Sequence, residues 1–131
     1  MSTNSNNSSS FRVVAMSHVN VTVPANAEAA AKEFYGSVLG LRELPKPPGS
    51  RQNVGAWYEL GGVQLHLSVE EDGNNRASDR HVCYVVADVV TAEQYLRDSG
   101  VGIISDPRPI PGVNRFYVRD PGGNLIEITQ E

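Results

Sequence analysis

The sequence predicts an α+β domain made of two tandem copies of one strand–helix–three-strand unit. Three observations predict it. A strand opener occurs twice, as HVNVTV from His18 and HVCYVV from His81. A hairpin also occurs twice, as WYELGGVQLHLS from Trp57 and FYVRDPGGNLIEIT from Phe116. Between opener and hairpin each copy has a helical stretch closed by a glycine, Gly40 in one and Gly100 in the other. Matching positions stay about 60 residues apart, the mark of an internal duplication. One unit alone leaves a sheet face bare, whereas two together enclose a core and a cleft.

The elements follow in order. Residues 1–10, MSTNSNNSSS, have nothing to bury and are expected to be a disordered lead ahead of one domain at 11–131. In Ser17–Val23, His18, Asn20 and Thr22 alternate with Val19, Val21 and Val23, a half-buried strand with a polar inner face. Pro24 stops it, and Asn26 is placed to cap a helix carrying Ala31, Phe34, Tyr35 and Val38 on one face. The Pro- and Gly-rich stretch Leu44–Asn53 predicts a loop, of which Pro45–Arg51 is long enough to cover a site. Trp57–Leu60 and Val63–Val69 predict a hairpin across Gly61-Gly62, which ends module one near residue 69. Residues 70–80 form a polar linker. Module two, 81–131, repeats the pattern, with a helix around Ala92–Ser99 and Gly122-Gly123 answering Gly61-Gly62. Phe34, Tyr35, Tyr95 and Leu96 fall at helical spacing and are expected in the core.

Composition narrows the classes. The 131 residues carry Lys+Arg 11 against Asp+Glu 15, a net charge of −4, which does not suit a nucleic-acid binder. Apolar runs such as Val82–Val86 are too short to span a bilayer. The single cysteine, Cys83, excludes a disulfide framework and fits a reducing compartment, and the lead lacks the features of a signal peptide. A cytoplasmic protein acting on a small molecule is the expectation.

The chemistry lies in four residues. His18 and His81 open the first strand of each copy, and His66 and Glu127 occupy matched places in the last. Gln64, His66 and Ser68 share one strand face, as do Leu125, Glu127 and Thr129. If the two sheets face each other through the pseudo-twofold, all four converge. Three imidazoles and a carboxylate suit a divalent transition metal, Zn, Ni, Co, Mn or Fe, and disfavour Ca or Mg. Asn20 and Gln64 should line the site as substrate or supporting hydrogen-bond groups. Tyr117 and Arg115 share the inner face of their strand and are candidates to bind substrate. Cys83 reads as a small buried residue.

HVNVTV, EFYGSVLGL, AWYELGGVQLHL, HVCYVVADV and FYVRDPGGNLIEI together resemble the vicinal oxygen chelate superfamily, also called the glyoxalase/bleomycin-resistance/dioxygenase group. The resemblance covers Ser17–Gln130. It implies two βαβββ modules forming a cup-shaped mixed sheet around a metal, with His18, His66, His81 and Glu127 at the ligand positions. It also implies a homodimer, often with each cup assembled from modules of two chains. The implied reaction is glyoxalase-like lyase or isomerase chemistry on a small carbonyl or hydroxy compound through a metal-bound enediolate, with Glu127 as ligand and then general base.

Within the superfamily, bacterial lactoylglutathione lyase has Glu at the His66 position and a glutathione-anchoring arginine at Thr22. Methylmalonyl-CoA epimerase has Gln in place of His66. A fosfomycin-type thiol transferase would use Tyr117, but its threonine is Asn20 here, and its lysine and serine fall at Pro107 and Pro111. An extradiol-type Fe(II) dioxygenase would use His18, His81 and Glu127, leaving His66 where catechol or oxygen must bind. The alternative of a different class is a non-catalytic antibiotic-binding protein of the bleomycin-resistance kind. Such binders lack the ligands and line their groove with aromatics, which are only 7% of this chain.

Overall fold

Both hairpins and both opening strands form where the alternation places them in the computed structural model, which describes residues 10–131. Apart from Ser10, the lead expected at 1–10 lies outside the described residues. Module one runs β1 (His18–Val23), a 3-10 turn (Ala25–Ala27), α1 (Glu28–Glu33) with a π turn (Phe34–Val38), β2 (Arg42–Leu44), β3 (Ala56–Leu60) and β4 (Val63–Val69). Module two runs β5 (His81–Val86), α2 (Val89–Asp98), β6 (Arg115–Arg119) and β7 (Leu125–Gln130). Among the described residues no helix is long and apolar enough to cross a membrane.

The duplication extends to the topology. One sheet has the order β1-β4-β3-β2 and the other β5-β7-β6. In each, the opening strand pairs in parallel with the last strand, which pairs antiparallel with the one before it. A single cup-shaped sheet is not what one chain forms: there are two small mixed sheets, with β1 and β5 each at an edge. Module two also lacks the counterpart of β2. An isolated bridge between Ile104 and Tyr117 stands in its place. Pro107, Pro109 and Pro111 follow it, and proline has no N–H to give a ladder.

The helices begin differently from expectation. Asn26 caps nothing, because Ala25–Ala27 winds as a 3-10 turn and α1 starts at Glu28 without a side-chain cap. Glu28 instead accepts the Gly55 N–H at 2.7 Å, tying helix to sheet. In contrast α2 starts at Val89, because Asp88 Oδ1 accepts from the Val90 and Thr91 N–H groups. Leu96 is buried, but Tyr95 is half exposed and donates its hydroxyl to the Val38 carbonyl at 2.7 Å.

The core takes the apolar side of each strand: Val23, Leu65, Leu67, Ile126 and Ile128 pack with Ala31, Phe34, Tyr35 and Leu96. A buried polar latch joins the modules. Asp120, 2% exposed, accepts the Tyr35 hydroxyl at 2.6 Å and the N–H groups of Gly122 and Asn124 at 2.9 Å each. Asn124 Nδ2 and Asn75 Nδ2 both donate to the Thr22 carbonyl at the end of β1. Asn75 lies in the stretch expected to be a mere linker and is buried there in a 3-10 turn. Gly122 completes the contact by lack of a side chain, since a Cβ there would sit 2.3 Å from Val23 Cγ1.

Candidate metal centre

The four expected ligands come together as two pairs, not as a quartet. Among the described residues no three His, Cys, Asp or Glu side chains gather closely enough to hold a metal. Each sheet instead pairs one residue from its edge strand with one from the strand beside it.

In module one, β1 and β4 run in parallel register with Asn20 opposite His66, so His18 and His66 project from the same face two residues apart. Their rings stack with centroids 4.0 Å apart and planes 15° apart. Trp57, opposite His66 on β3, stacks on the other side at 3.9 Å and 5°. His66 is thus clamped between an indole and an imidazole. Its Nε2 meets Gln64 Oε1 at 2.9 Å, and His18 Nδ1 meets Ser17 Oγ at 3.0 Å. Burial lowers the His66 pKa, helped by His18 and by the Lys46 ammonium, so the neutral, metal-ligating form is favoured. Lys46 donates to the carbonyls of Arg51 and Val54, fastening the loop expected to cover the site. Asn20 accepts a hydrogen bond from Ser68 at 2.7 Å.

In module two, His81 Nε2 faces Glu127 Oε1 at 3.1 Å. His81 Nδ1 lies 2.8 Å from the Asp79 carbonyl, which can only accept, so Nδ1 carries a proton. In a neutral ring, Nε2 and Oε1 then present lone pairs to each other. Either a proton or a metal cation reconciles them, so the donor pair fits a metal. Glu127 is buried, with Cys83 opposite it on β5 and Tyr117 opposite it on β6. Partial desolvation and then Glu127 push the Cys83 thiol pKa up, which disfavours a reactive thiolate. Cys83 is exposed, contrary to expectation, because it lies on the polar face of an edge strand. Tyr117 meets the His81 ring edge-on at 6.0 Å, and its hydroxyl pKa is raised by burial and by Glu127.

Arg115 is held by protein acceptors. Its Nε donates to Asp106 Oδ2 at 2.8 Å, Nη1 to Glu127 Oε2 at 3.3 Å and Nη2 to the Arg108 carbonyl at 3.0 Å. A cleft of about 330 Å³ opens between β1 and β5, lined by Asn20, Thr22, Arg80, His81 and Tyr84 among others.

Two residues that brace these pairs escaped sequence reasoning. Trp57 was countable: in a hairpin turning at Gly61-Gly62 it must lie opposite His66. Asp106 was not, since the irregular stretch before β6 has no periodicity to report it.

Two βαβββ-like modules, each presenting a donor pair at an edge strand, define the class of fold. The chain matches the model of the Glyoxalase/Bleomycin resistance protein/Dioxygenase superfamily over residues 15–128, and it belongs to that superfamily. Among solved structures it is similar to a "putative glyoxalase family protein" from Bacillus anthracis, at 33% identity and a TM-score of 0.81, covering 92% of this chain and 98% of that one. A "possible Glyoxalase" from Bacillus cereus is 26% identical with a TM-score of 0.69, covering 89% and 99%. Lactoylglutathione lyase from Agrobacterium tumefaciens is 22% identical with a TM-score of 0.69, covering 92% and 96%, a likeness of fold alone. No curated protein matches the chain.

Proposed function

We propose that this protein is a metal-dependent vicinal-oxygen-chelate enzyme of the glyoxalase type, a lyase or isomerase acting on a small carbonyl or hydroxy compound. Its metal would be held by His18 and His66 from one chain and by His81 and Glu127 from a second copy. The observation that carries this reading is the pair of half-sites: each sheet brings two candidate donors together, and among the described residues no three gather closely enough to hold a metal. The half-sites sit beside β1 and β5, edge strands with one paired neighbour each, and two isologous copies would bring complementary halves together. Joining β1 of one chain to β5 of another would complete one cup-shaped sheet and one ligand set.

A divalent ion bound there supplies Lewis-acid stabilisation of adjacent oxygens on the substrate. The residues do the rest. The indole of Trp57 and the ring of His18 fix the plane of His66, and the Asp79 carbonyl fixes the tautomer of His81. Asn20, Gln64 and Tyr117 supply hydrogen-bonding groups to orient a polar substrate beside the donors. Glu127 is the group placed to take and return a proton at its carboxylate.

Metal content of the untagged protein, measured by mass spectrometry beside Glu127→Gln, tests the reading. About one transition metal per chain, weakened in the variant, is expected for a four-ligand site. Absence of binding after reconstitution with Zn, Ni, Co, Mn and Fe would overturn it and leave the antibiotic-binding alternative.

A further inference from the structure

The guanidinium of Arg115 on β6 lies against the candidate donor Glu127 of the neighbouring β7. It bridges two carboxylates, Asp106 and Glu127, and all three side chains are between 11% and 14% exposed. The division of labour on Glu127 is specific: Oε1 faces His81 Nε2, and Oε2 faces Arg115 Nη1. Asp106 in turn fixes Arg115 through Nε, and the Arg108 carbonyl takes Nη2. Asp106 also accepts the Arg108 N–H at 3.0 Å, so the irregular chain ahead of β6 is itself folded around the guanidinium.

We infer that Arg115 is a positioning residue: anchored by Asp106, it holds Oε2 of Glu127 so that the carboxylate meets the metal through Oε1 alone. The inference rests on the reading of Glu127 as a ligand and deepens it. A carboxylate free at both oxygens can rotate or chelate through both. One oxygen held by a charged hydrogen bond leaves a single orientation, which costs less ordering when the metal arrives. The same contacts keep Asp106 ionised, since the hydrogen bond from Arg115 lowers its pKa. They also engage three of the five N–H groups of this arginine on β6.

The test is titration of the full-length protein with Co(II), followed by visible absorption, which reads affinity and coordination without turnover. Wild-type protein is expected to give a saturable Co(II) spectrum. Arg115→Met should bind about 10- to 100-fold more weakly, the usual effect of losing a partner behind a ligand. Its absorption per bound ion should fall, as Glu127 becomes free to chelate through both oxygens and raises the coordination number. Arg115→Lys should recover part of the affinity, since an ammonium reaches one carboxylate but does not bridge two. If Arg115→Met fails to fold by circular dichroism, Asp106→Asn carries the test, with weaker binding expected from a loosened arginine. Wild-type affinity and spectrum in a folded Arg115→Met, or in Asp106→Asn where that variant carries the test, would overturn the inference while leaving the metal site standing. Tighter binding would overturn it too, marking the arginine as a competitor for the carboxylate. No Co(II) spectrum from the wild type would overturn the metal reading itself, and the inference with it.

Discussion

The two modules share one topology and solve the same problem with different chemistry. Module one holds a pair of imidazoles by ring stacking, with Trp57, His66 and His18 in one pile. Module two holds an imidazole and a carboxylate through charge, with His81, Glu127, Arg115 and Asp106 in one chain of contacts. A neutral ligand needs only its plane fixed, and flat aromatic surfaces do that. A buried carboxylate must be compensated as well as oriented, and a guanidinium does both. The frame is thus repeated, while each half braces its candidate donors in its own way.

The largest effect is expected where the halves join. Asp120→Ala removes the acceptor of the Tyr35 hydroxyl and of the Gly122 and Asn124 N–H groups, all in the interior. Chemical denaturation should register a loss of about 3 kcal/mol, since several buried donors are left unsatisfied together. Tyr35→Phe should cost about 1 kcal/mol or somewhat more, because it leaves Asp120 its other partners. Equal losses from the two would mean that the phenol, not the carboxylate, organises the junction.

The stack in module one should matter to metal binding and little to folding. Trp57→Leu is expected to weaken Co(II) or Zn(II) binding by about tenfold, as for other groups that orient a ligand. Trp57 is the chain's single tryptophan, so its fluorescence reports directly on His66, and Ni(II) or Co(II) should quench it. Quenching absent despite metal uptake would place the metal away from His66.

Acid should separate the modules further. The His66 pKa is lower folded than unfolded, so the unfolded chain takes up this proton first as pH falls. Its contribution is therefore complete above the ordinary histidine range and is lost below about pH 6.5. Metal-free protein should lose stability on passing below that pH, and His66→Gln should flatten the slope. An unchanged slope would assign the acid sensitivity elsewhere.

The smallest effect belongs to an exposed arginine pair of module one. Arg42 and Glu59 of module one meet at 2.9 Å with side chains 66% and 50% exposed. Arg42→Met should change stability by no more than about 0.5 kcal/mol by thermal melting. A larger loss would erase the distinction between this surface pair and the enclosed arginine of module two.

These contrasts mark what could be read in the chain beforehand. Period-two alternation at His18–Val23 and across Gly61-Gly62 carried the strands and which candidate donors share a face, because the pleat fixes parity. Partnership was another matter. Nothing in a repeat says whether the two copies of one chain turn their donors toward each other or toward a second molecule, and the structure gives two pairs. The latch was invisible for a related reason: Tyr35 read as a core residue of a helix and Asp120 as part of a turn, and only the packing of modules brings them to 2.6 Å. Local signals set local structure, and contacts across 85 residues leave none.

The central claim is that each metal site is shared between two chains, and complementation tests it most directly. His66→Ala breaks the half-site of module one, and Glu127→Ala that of module two. Each variant alone should lose metal. Mixed, distinguishably tagged and purified as the heterodimer, they should regain about one metal per pair, since one cup then has both halves intact. A heterodimer as empty as its parents, formed from subunits that fold, would contradict the account and return the ligands to a single chain.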